Sequence, residues 1–593
     1  MSRRLLYVVL AGIVIGVLMR WAYPSSDPPL YRQTGAPWWN ESAAHDARNG
    51  AMWGAWIQDD WRPGLIAPVY TAVTEQSLRL FGVSYFALRL PAMICGTLLV
   101  LLAFAQARAT GLSRDAGLIS AMVIAASWPM VGFSKVAIME PITLLCVSTL
   151  VLLLLIAARS KRLATVVFFV AGLAGGLTVV SKISSASIVG ITGAYLLFGP
   201  CPWGCVRPWL ARFTRTASFG AGVVLAGLSG FYVWILPNWA AYQDFVLTST
   251  VLDRQKTSLL PLALNAISVV DSQILLAIPF FVVPVCLLSV RLASRMSAAT
   301  YPLRFGFGLL TTVLAGGVLT HLNFDVPPQR LVWVTVYIAI LFGLAWDFVH
   351  DGLGLDASAT TNVVPIVQRV LPFLNFVLCV IAGLVVAGWV ISPNGGLLAL
   401  ISPTSAAWLM FTMKAKVAVK VVWLLLGLAC GIGLLVFQQR LYDRRREIVR
   451  WALCAQVVLL CVCSGLWLFR RSETLVTTSR AIEQRVGSGT YVAGALAVPL
   501  AFANTTRPLY WYPGGVRYAS KDEDAFDRRF HPEYVLTPEP TLQWYSLTPI
   551  TSTPFFDLFK GNEVERYTIY ELHACPELSG YVYLLRRAPS GLN

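Results

Sequence analysis

The sequence predicts an α-helical polytopic membrane protein of about thirteen transmembrane helices, with interfacial helices in its first outer loop and a small C-terminal α/β soluble domain. Three observations predict it. Of the 593 residues 56% are hydrophobic and only 13% charged, so most of the chain needs lipid as its solvent. Apolar runs recur at roughly 20 residues, the length that crosses about 30 Å of hydrocarbon at about 1.5 Å per residue. The Lys and Arg residues behind the net charge of +16 sit in short clusters between these runs instead of forming one stripe, which suits membrane topology and argues against nucleic-acid binding.

The opening stretch MSRRLLYVVLAGIVIGVLMRWAYP has the charged start and apolar run of a signal peptide, but no small-x-small cleavage site follows and aromatic residues succeed Arg20. It reads as an uncleaved first helix, about Leu5 to Tyr23, with Arg3 and Arg4 held inside. The second helix runs from about Leu88 to Ala107. The third and fourth flank a break around Phe133 to Lys135, the fifth and sixth flank Ser181 and Lys182, and the seventh spans about Phe219 to Leu236. Further candidates are Ile274 to Val290, Phe305 to Leu319, Leu331 to Val349, Leu371 to Ile391, Val417 to Phe437 and Ala452 to Phe469.

Basic clusters test this order independently, because Lys and Arg concentrate in cytoplasmic loops. They fall in alternate loops, at Arg108 and Arg114; at Arg159, Lys161 and Arg162; at Arg207, Arg212 and Arg215; at Arg291, Arg295 and Arg304; and at Arg440 with Arg444 to Arg446. With the N-terminus on that side, an odd helix total leaves the C-terminus outside, although Arg470 and Arg471 run against the rule locally. The expected layout is a transmembrane domain over residues 1–471, with its first outer loop at 24–86, and an extracytoplasmic α/β domain over 472–593. Within the outer loop APVYTAVTEQSLRLFGVSYF is amphipathic, with Val69, Val73, Leu78 and Phe81 at helical spacing, so it lies in the interface. The 11 Cys residues are scattered, and the one close pair, Cys201 and Cys205, lacks a second pair to complete a zinc site.

Chemistry is expected where polar groups persist beside hydrocarbon, since each ionisable group at membrane depth costs about 2.5–3.5 kcal/mol. The stretch WWNESAAHDARNGAMWGAWIQDDWRPGLIAP carries Glu41, His45, Asp46, Asp59 and Asp60 with Arg48 and Arg62. Lys135 and Glu140 bracket the break between the third and fourth helices, Lys182 ends the fifth, and Asp325 and Arg330 bracket a Pro pair at another helix mouth. The topology puts all of them at the outer face. There the cations can hold a phosphate while a carboxylate removes a proton from an attacking hydroxyl. Plainer readings stand beside these: Lys135 can snorkel, Glu140 before Pro141 can favour a helix start, Arg330 can anchor an interface, and His45 can be a hydrogen-bonded loop residue.

The stretch from Asn40 to Gly96 resembles the C-type glycosyltransferase superfamily, and within it the family 39 branch of protein O-mannosyltransferases and lipid A aminoarabinose transferases. The similar elements are an acidic opening to the first outer loop, an Ala-Arg-Asn-like segment at Ala47 to Asn49, a Pro-containing turn, and the helix entry Phe81-Gly82-Val83 with Arg89-Leu90-Pro91. Lys135 to Pro141 resembles the family's second acidic motif, Val180 to Ile183 its Lys-containing turn, and Pro328 to Arg330 its Pro-x-Arg entry. The family's acidic pair is Asp-Glu; here it is Asn40-Glu41, which makes Glu41 the first candidate base and Asp46 the second.

The resemblance implies an outward-facing site in the cytoplasmic membrane, a polyprenyl-phosphate sugar as donor, inversion at the anomeric carbon, and a lipid, glycan or protein acceptor. On this reading Glu41 or Asp46 is catalytic, Lys182, Arg330 and Arg62 bind the donor phosphate, and Glu140, Lys135 and His45 orient substrate. No cofactor is specified, although two or three carboxylates could share a divalent metal with the phosphate. A protein O-glycosyltransferase is the alternative within enzymes, and a transporter or an inactive homologue the alternative outside them. A transporter would carry charges near the middle of several helices, whereas here they collect at one face.

Overall fold

A computed structural model describes residues 1–26, 41, 43–56, 62–160, 163–200, 207–243, 278–295, 299–322, 332–350, 365–391, 416–469, 471, 473–494, 497–509, 529–530, 532–538, 555–560, 563–575 and 580–587. Ten helices lead the described chain: α1 (Arg3–Trp21), α2 (His45–Trp53), α3 (Pro68–Phe81), α4 (Tyr85–Thr110), α5 (Arg114–Ala126), α6 (Trp128–Phe133), α7 (Glu140–Arg159), α8 (Ala164–Ser181), α9 (Ala186–Phe198) and α10 (Pro208–Gly230). There follow α11 (Pro279–Arg295), α12 (Tyr301–Leu322), α13 (Val332–Val349), α14 (Pro365–Ile391), α15 (Lys416–Val436), α16 (Gln438–Asp443), α17 (Arg445–Phe469) and α18 (Thr474–Val486). Among the described residues, 7 helices are long and apolar enough to cross a membrane, with shorter apolar helices beside them.

The apolar pattern decides how these helices pack. Val336 to Leu341 of α13 are buried on every side, so α13 sits in the centre of the bundle. By contrast α10 shows Phe213, Val224, Leu225 and Leu228 on its exposed surface, the arrangement expected of a helix that faces lipid.

The third predicted span is broken, and the break has a local cause. Pro129 has no N–H to give to the carbonyl of Ala125, and Ser127 leaves the helical region with ψ 109°. Carbonyls at the end of α5 thereby lose their helical donors inside the bundle. Arg20, fully buried on α1, donates Nη2 to Ile124 O at 2.8 Å and Nη1 to Ala125 O at 3.1 Å, and Gln456 on α17 donates to Ala126 O at 3.3 Å. The approach needs Gly16, because a Cβ there would stand 2.0 Å from Ala125 O. The chain that leaves α6 then turns back through residues 134–139 into α7, carrying Lys135 and Glu140.

The two ends of the bundle differ. At one end the N-terminal amine meets Asp115 at 2.6 Å, Asp347 of α13 accepts from the Ser113 N–H at 2.6 Å, and Arg446 donates to Val349 O at 3.2 Å. Arg108, Arg114, Arg159 and Arg291 belong to this end. At the other end lie Tyr23, Glu41, Arg89, Glu140 and Lys182, and a second hydrophobic core forms there. It joins Ala44, Ala47, Tyr70 and Leu78 of the first loop to Leu475, Val492, Phe502 and Leu536 of the C-terminal region. That region holds a mixed sheet in the order β2-β1-β3-β6-β5-β4, from β1 (Tyr491–Ala493), β2 (Arg507–Leu509), β3 (Tyr534–Pro538), β4 (Phe555–Lys560), β5 (Glu563–Cys575) and β6 (Gly580–Arg587). β1 runs parallel to β2 and β3, and the remaining pairs are antiparallel.

Removing the Arg20 guanidinium should leave buried carbonyls without donors. Arg20→Leu is expected to destabilise the protein by about 2–4 kcal/mol, read as a lower melting temperature in detergent. An unchanged melt would remove the clamp from this account.

Candidate active site

The loop between α1 and α4 is held by one buried ion pair. Arg89 lies on the second turn of the apolar helix α4, where a guanidinium without a counter-charge would be very costly. Its Nε and Nη2 reach the two Glu41 oxygens at 2.6 and 3.0 Å, and its Nη1 reaches the carbonyls of Pro24 and Ser26 at 3.0 and 2.6 Å. Both side chains are fully buried, and Glu41 also accepts the Ala137 N–H at 3.2 Å. The carboxylate expected to be the base is thus directed at three protein donors, and it fastens the loop to α4 and to the break before α7.

Asp46 is placed differently. It occupies the first turn of α2, where a carboxylate complements the free N–H groups, and its Oδ2 accepts the Gly64 N–H at 2.6 Å. Gly64 sits in the short turn Pro63–Leu65, and a Cβ on it would stand 2.6 Å from the same oxygen, so only glycine lets the backbone come so close. Arg62, half-buried, enters this turn two residues earlier. His45 is buried, with its Nε2 3.2 Å from the Asn49 amide one turn on.

Across the gap from the loop, Glu140 opens α7 and Lys182 ends α8. Their side chains meet at 2.7 Å and keep 14% and 13% of their surface exposed, unlike the sealed Glu41–Arg89 pair. Tyr70 on α3 is buried and feels both acidic groups; burial, and then the charge of Glu41, raise its hydroxyl well above the usual tyrosine range. Lys135 turns away from both acids. Its ammonium donates to the Ala22 carbonyl and lies 4.6 Å from the Trp467 ring centre, and burial, then the nearby Arg89, push it down to about 7.

Two residues at this end went unassigned in the sequence reading. Arg89 was legible only as part of a helix-entry motif, although a lone Arg inside an apolar helix signals a buried partner. Arg48 was one polar residue among several. It proves to be buried on α2, donating to the carbonyls of Phe502, Asn504 and Thr506, each at 2.8 Å, and burial pushes it down to about 10. The structure therefore groups Glu41 with Arg89, Asp46 with Gly64, and Glu140 with Lys182, and sets Lys135 apart. Arg330, Asn40, Asp59, Asp60 and Asp325 lie outside the described residues. Among the described residues no three His, Cys, Asp or Glu side chains cluster as metal ligands.

Comparison with known proteins agrees with this architecture. Residues 63–234 match the family model described as dolichyl-phosphate-mannose-protein mannosyltransferase. No curated protein matches the chain by sequence. The crystal structure of ArnT from Cupriavidus metallidurans bound to undecaprenyl phosphate is similar, with a TM-score of 0.57 at 14% identity and 98% of each chain covered. The apo state of the same protein gives a TM-score of 0.55, again at 14% identity and 98% coverage of each chain. The chain shares the fold of ArnT. The family-model match and the ArnT-like fold agree with the resemblance read from the sequence.

A double-mutant cycle tests the sealed pair. Glu41→Gln and Arg89→Met should each cost about 3–5 kcal/mol of stability by stranding a buried partner, and the double variant should cost less than their sum. Additive effects, read from melting in detergent, would show that the two side chains do not act as a pair.

Proposed function

We propose that the protein is a membrane glycosyltransferase that moves a sugar from a polyprenyl-phosphate donor to a lipid or glycan acceptor at the outer face of the cytoplasmic membrane. The observation that carries the reading is the half-open Glu140–Lys182 pair, brought together at the same end of a C-type fold as the Asp46 turn. The basic loops at the opposite end support the outward orientation of this site.

The roles follow from the chemistry. The acceptor hydroxyl attacks the anomeric carbon, Asp46 takes its proton, and the bond from that carbon to the phosphate oxygen breaks with inversion, its electron pair leaving on the polyprenyl phosphate. Lys182, with Arg62 and Arg330, stabilises the charge that grows on that phosphate. Glu140 keeps Lys182 in place and orients the sugar, and His45 stands at the head of the helix that carries the base. Asp46 moves ahead of Glu41 as the base because Arg89 and Ala137 already occupy the Glu41 carboxylate. Glu41 and Lys135 then hold the site's frame.

Membranes supplied with lipid-linked donor test this. Asp46→Asn should lower transfer by about 10²–10⁴-fold, the usual contribution of a general base. Lys182→Met should lower it too, both at normal expression. Full activity of Asp46→Asn alongside an expressed but inactive Glu41→Gln would return the base to Glu41. The description of the matching family model favours a second reading, a protein acceptor. Mass spectrometry of secreted proteins from a deletion strain would then show missing O-linked glycans.

A further inference from the structure

Asn49 stands one turn after His45 on α2, and both side chains are buried, where a hydrogen bond left unmade is costly. Its Nδ2 lies 3.2 Å from His45 Nε2 and 3.4 Å from the carbonyl of Trp56. That carbonyl decides which way the amide points, because a reversed amide would set one acceptor oxygen against another. With the NH2 end turned inward, one hydrogen goes to Trp56 and the other to the imidazole. Nε2 of His45 is then the accepting nitrogen, and the ring proton is on Nδ1.

The Trp56 carbonyl is itself held in place. Gly54, with φ 79°, ends α2 in a left-handed turn, and the chain folds back towards the helix. The Trp56 indole Nε1 donates to Glu75 Oε2 on α3 at 2.6 Å. Arg79, one turn further along α3, donates Nε to Glu75 Oε1 at 2.8 Å and Nη2 to the Gly50 carbonyl at 2.9 Å. A Cβ on Gly50 would stand 2.7 Å from the Trp56 ring and 2.8 Å from the Glu75 carboxyl carbon, so these segments close only around glycine. A chain of contacts that starts on α3 thus ends on one nitrogen of the histidine that precedes Asp46.

We propose that Asn49 is a positioning residue for sugar transfer: it holds His45 as the tautomer with its proton on Nδ1, so that the imidazole donates a hydrogen bond and does not compete with Asp46 for the acceptor's proton. The proposal rests on the reading of Asp46 as the base. A histidine able to accept at either nitrogen would offer that proton a second destination. Here Nε2 is taken by Asn49 and Nδ1 already carries a proton, which leaves His45 as a fixed donor at the head of the helix that bears the base.

Solid-state NMR of the full chain in lipid, labelled with nitrogen-15 histidine, locates the proton directly, and His45→Gln identifies the signal among the 5 histidines. In the wild type Nε2 of His45 should give the pyridine-like signal of a bare nitrogen and Nδ1 the pyrrole-like signal of an N–H. Asn49→Asp keeps the size of the side chain, but its carboxylate can only accept, so Nε2 should gain a proton and its signal become pyrrole-like. The same variant should lower kcat for transfer about tenfold, the worth of one hydrogen bond, with KM little changed. A pyrrole-like Nε2 in the wild type, a result that needs no variant to fold, would overturn the proposal. So would full kcat in Asn49→Asp once the proton has moved. A wild type with the expected tautomer and no transfer activity would instead sink the glycosyltransferase reading and leave the histidine's proton where it is assigned.

Discussion

The Arg89–Glu41 pair is the constraint on which the candidate-site end of the molecule depends. An arginine inside an apolar helix cannot stay unpaired, and a glutamate with no exposed surface cannot either. Each fixes the other, and together they draw in the end of α1 through Pro24 and Ser26 and the break before α7 through Ala137. Four segments distant in sequence are thus referred to one point. The turn that holds Asp46 and the helix start that holds Glu140 are set relative to this point, so their spacing is inherited from a contact with no exposed surface.

The break between α5 and α6 shows the same economy in a drier setting. A proline removes one donor, a serine bends the chain, and the released carbonyls would be expensive in hydrocarbon. Arg20 and Gln456 come from two other helices to meet them. The irregular backbone that carries Lys135 and Glu140 is tolerated because its upstream end is capped by side chains from across the bundle.

Much of this was legible in the chain and some was not. The helices around Leu88 to Ala107 and Leu371 to Ile391 fall where apolar runs placed them, because hydrocarbon thickness sets their length. The amphipathic helix α3 follows from its pattern, and the Glu140–Lys182 pair joins two residues that the sequence had already put at one face. What could not be read was which acid would be consumed by structure. Glu41 and Asp46 carry the same charge a few residues apart, and only the position of Arg89, 48 residues further on, separates them. Lys135 and Glu140 are close in sequence, yet they face different partners because the turn between them reverses direction. The role of Arg48 was hidden for the same reason: its acceptors lie more than 450 residues away.

That last contact bears on the order in which the molecule can be made. Arg48 is translated early, and the carbonyls of Phe502, Asn504 and Thr506 come near the end of the chain. Until that end has emerged on the same side of the membrane, α2 carries a charged side chain with no acceptors, and the second core lacks half its residues. The loop that carries Arg48 is therefore made long before it can finish folding. A chain halted between Phe469, the end of α17, and residue 502 already contains the described bundle helices while the second core is still incomplete.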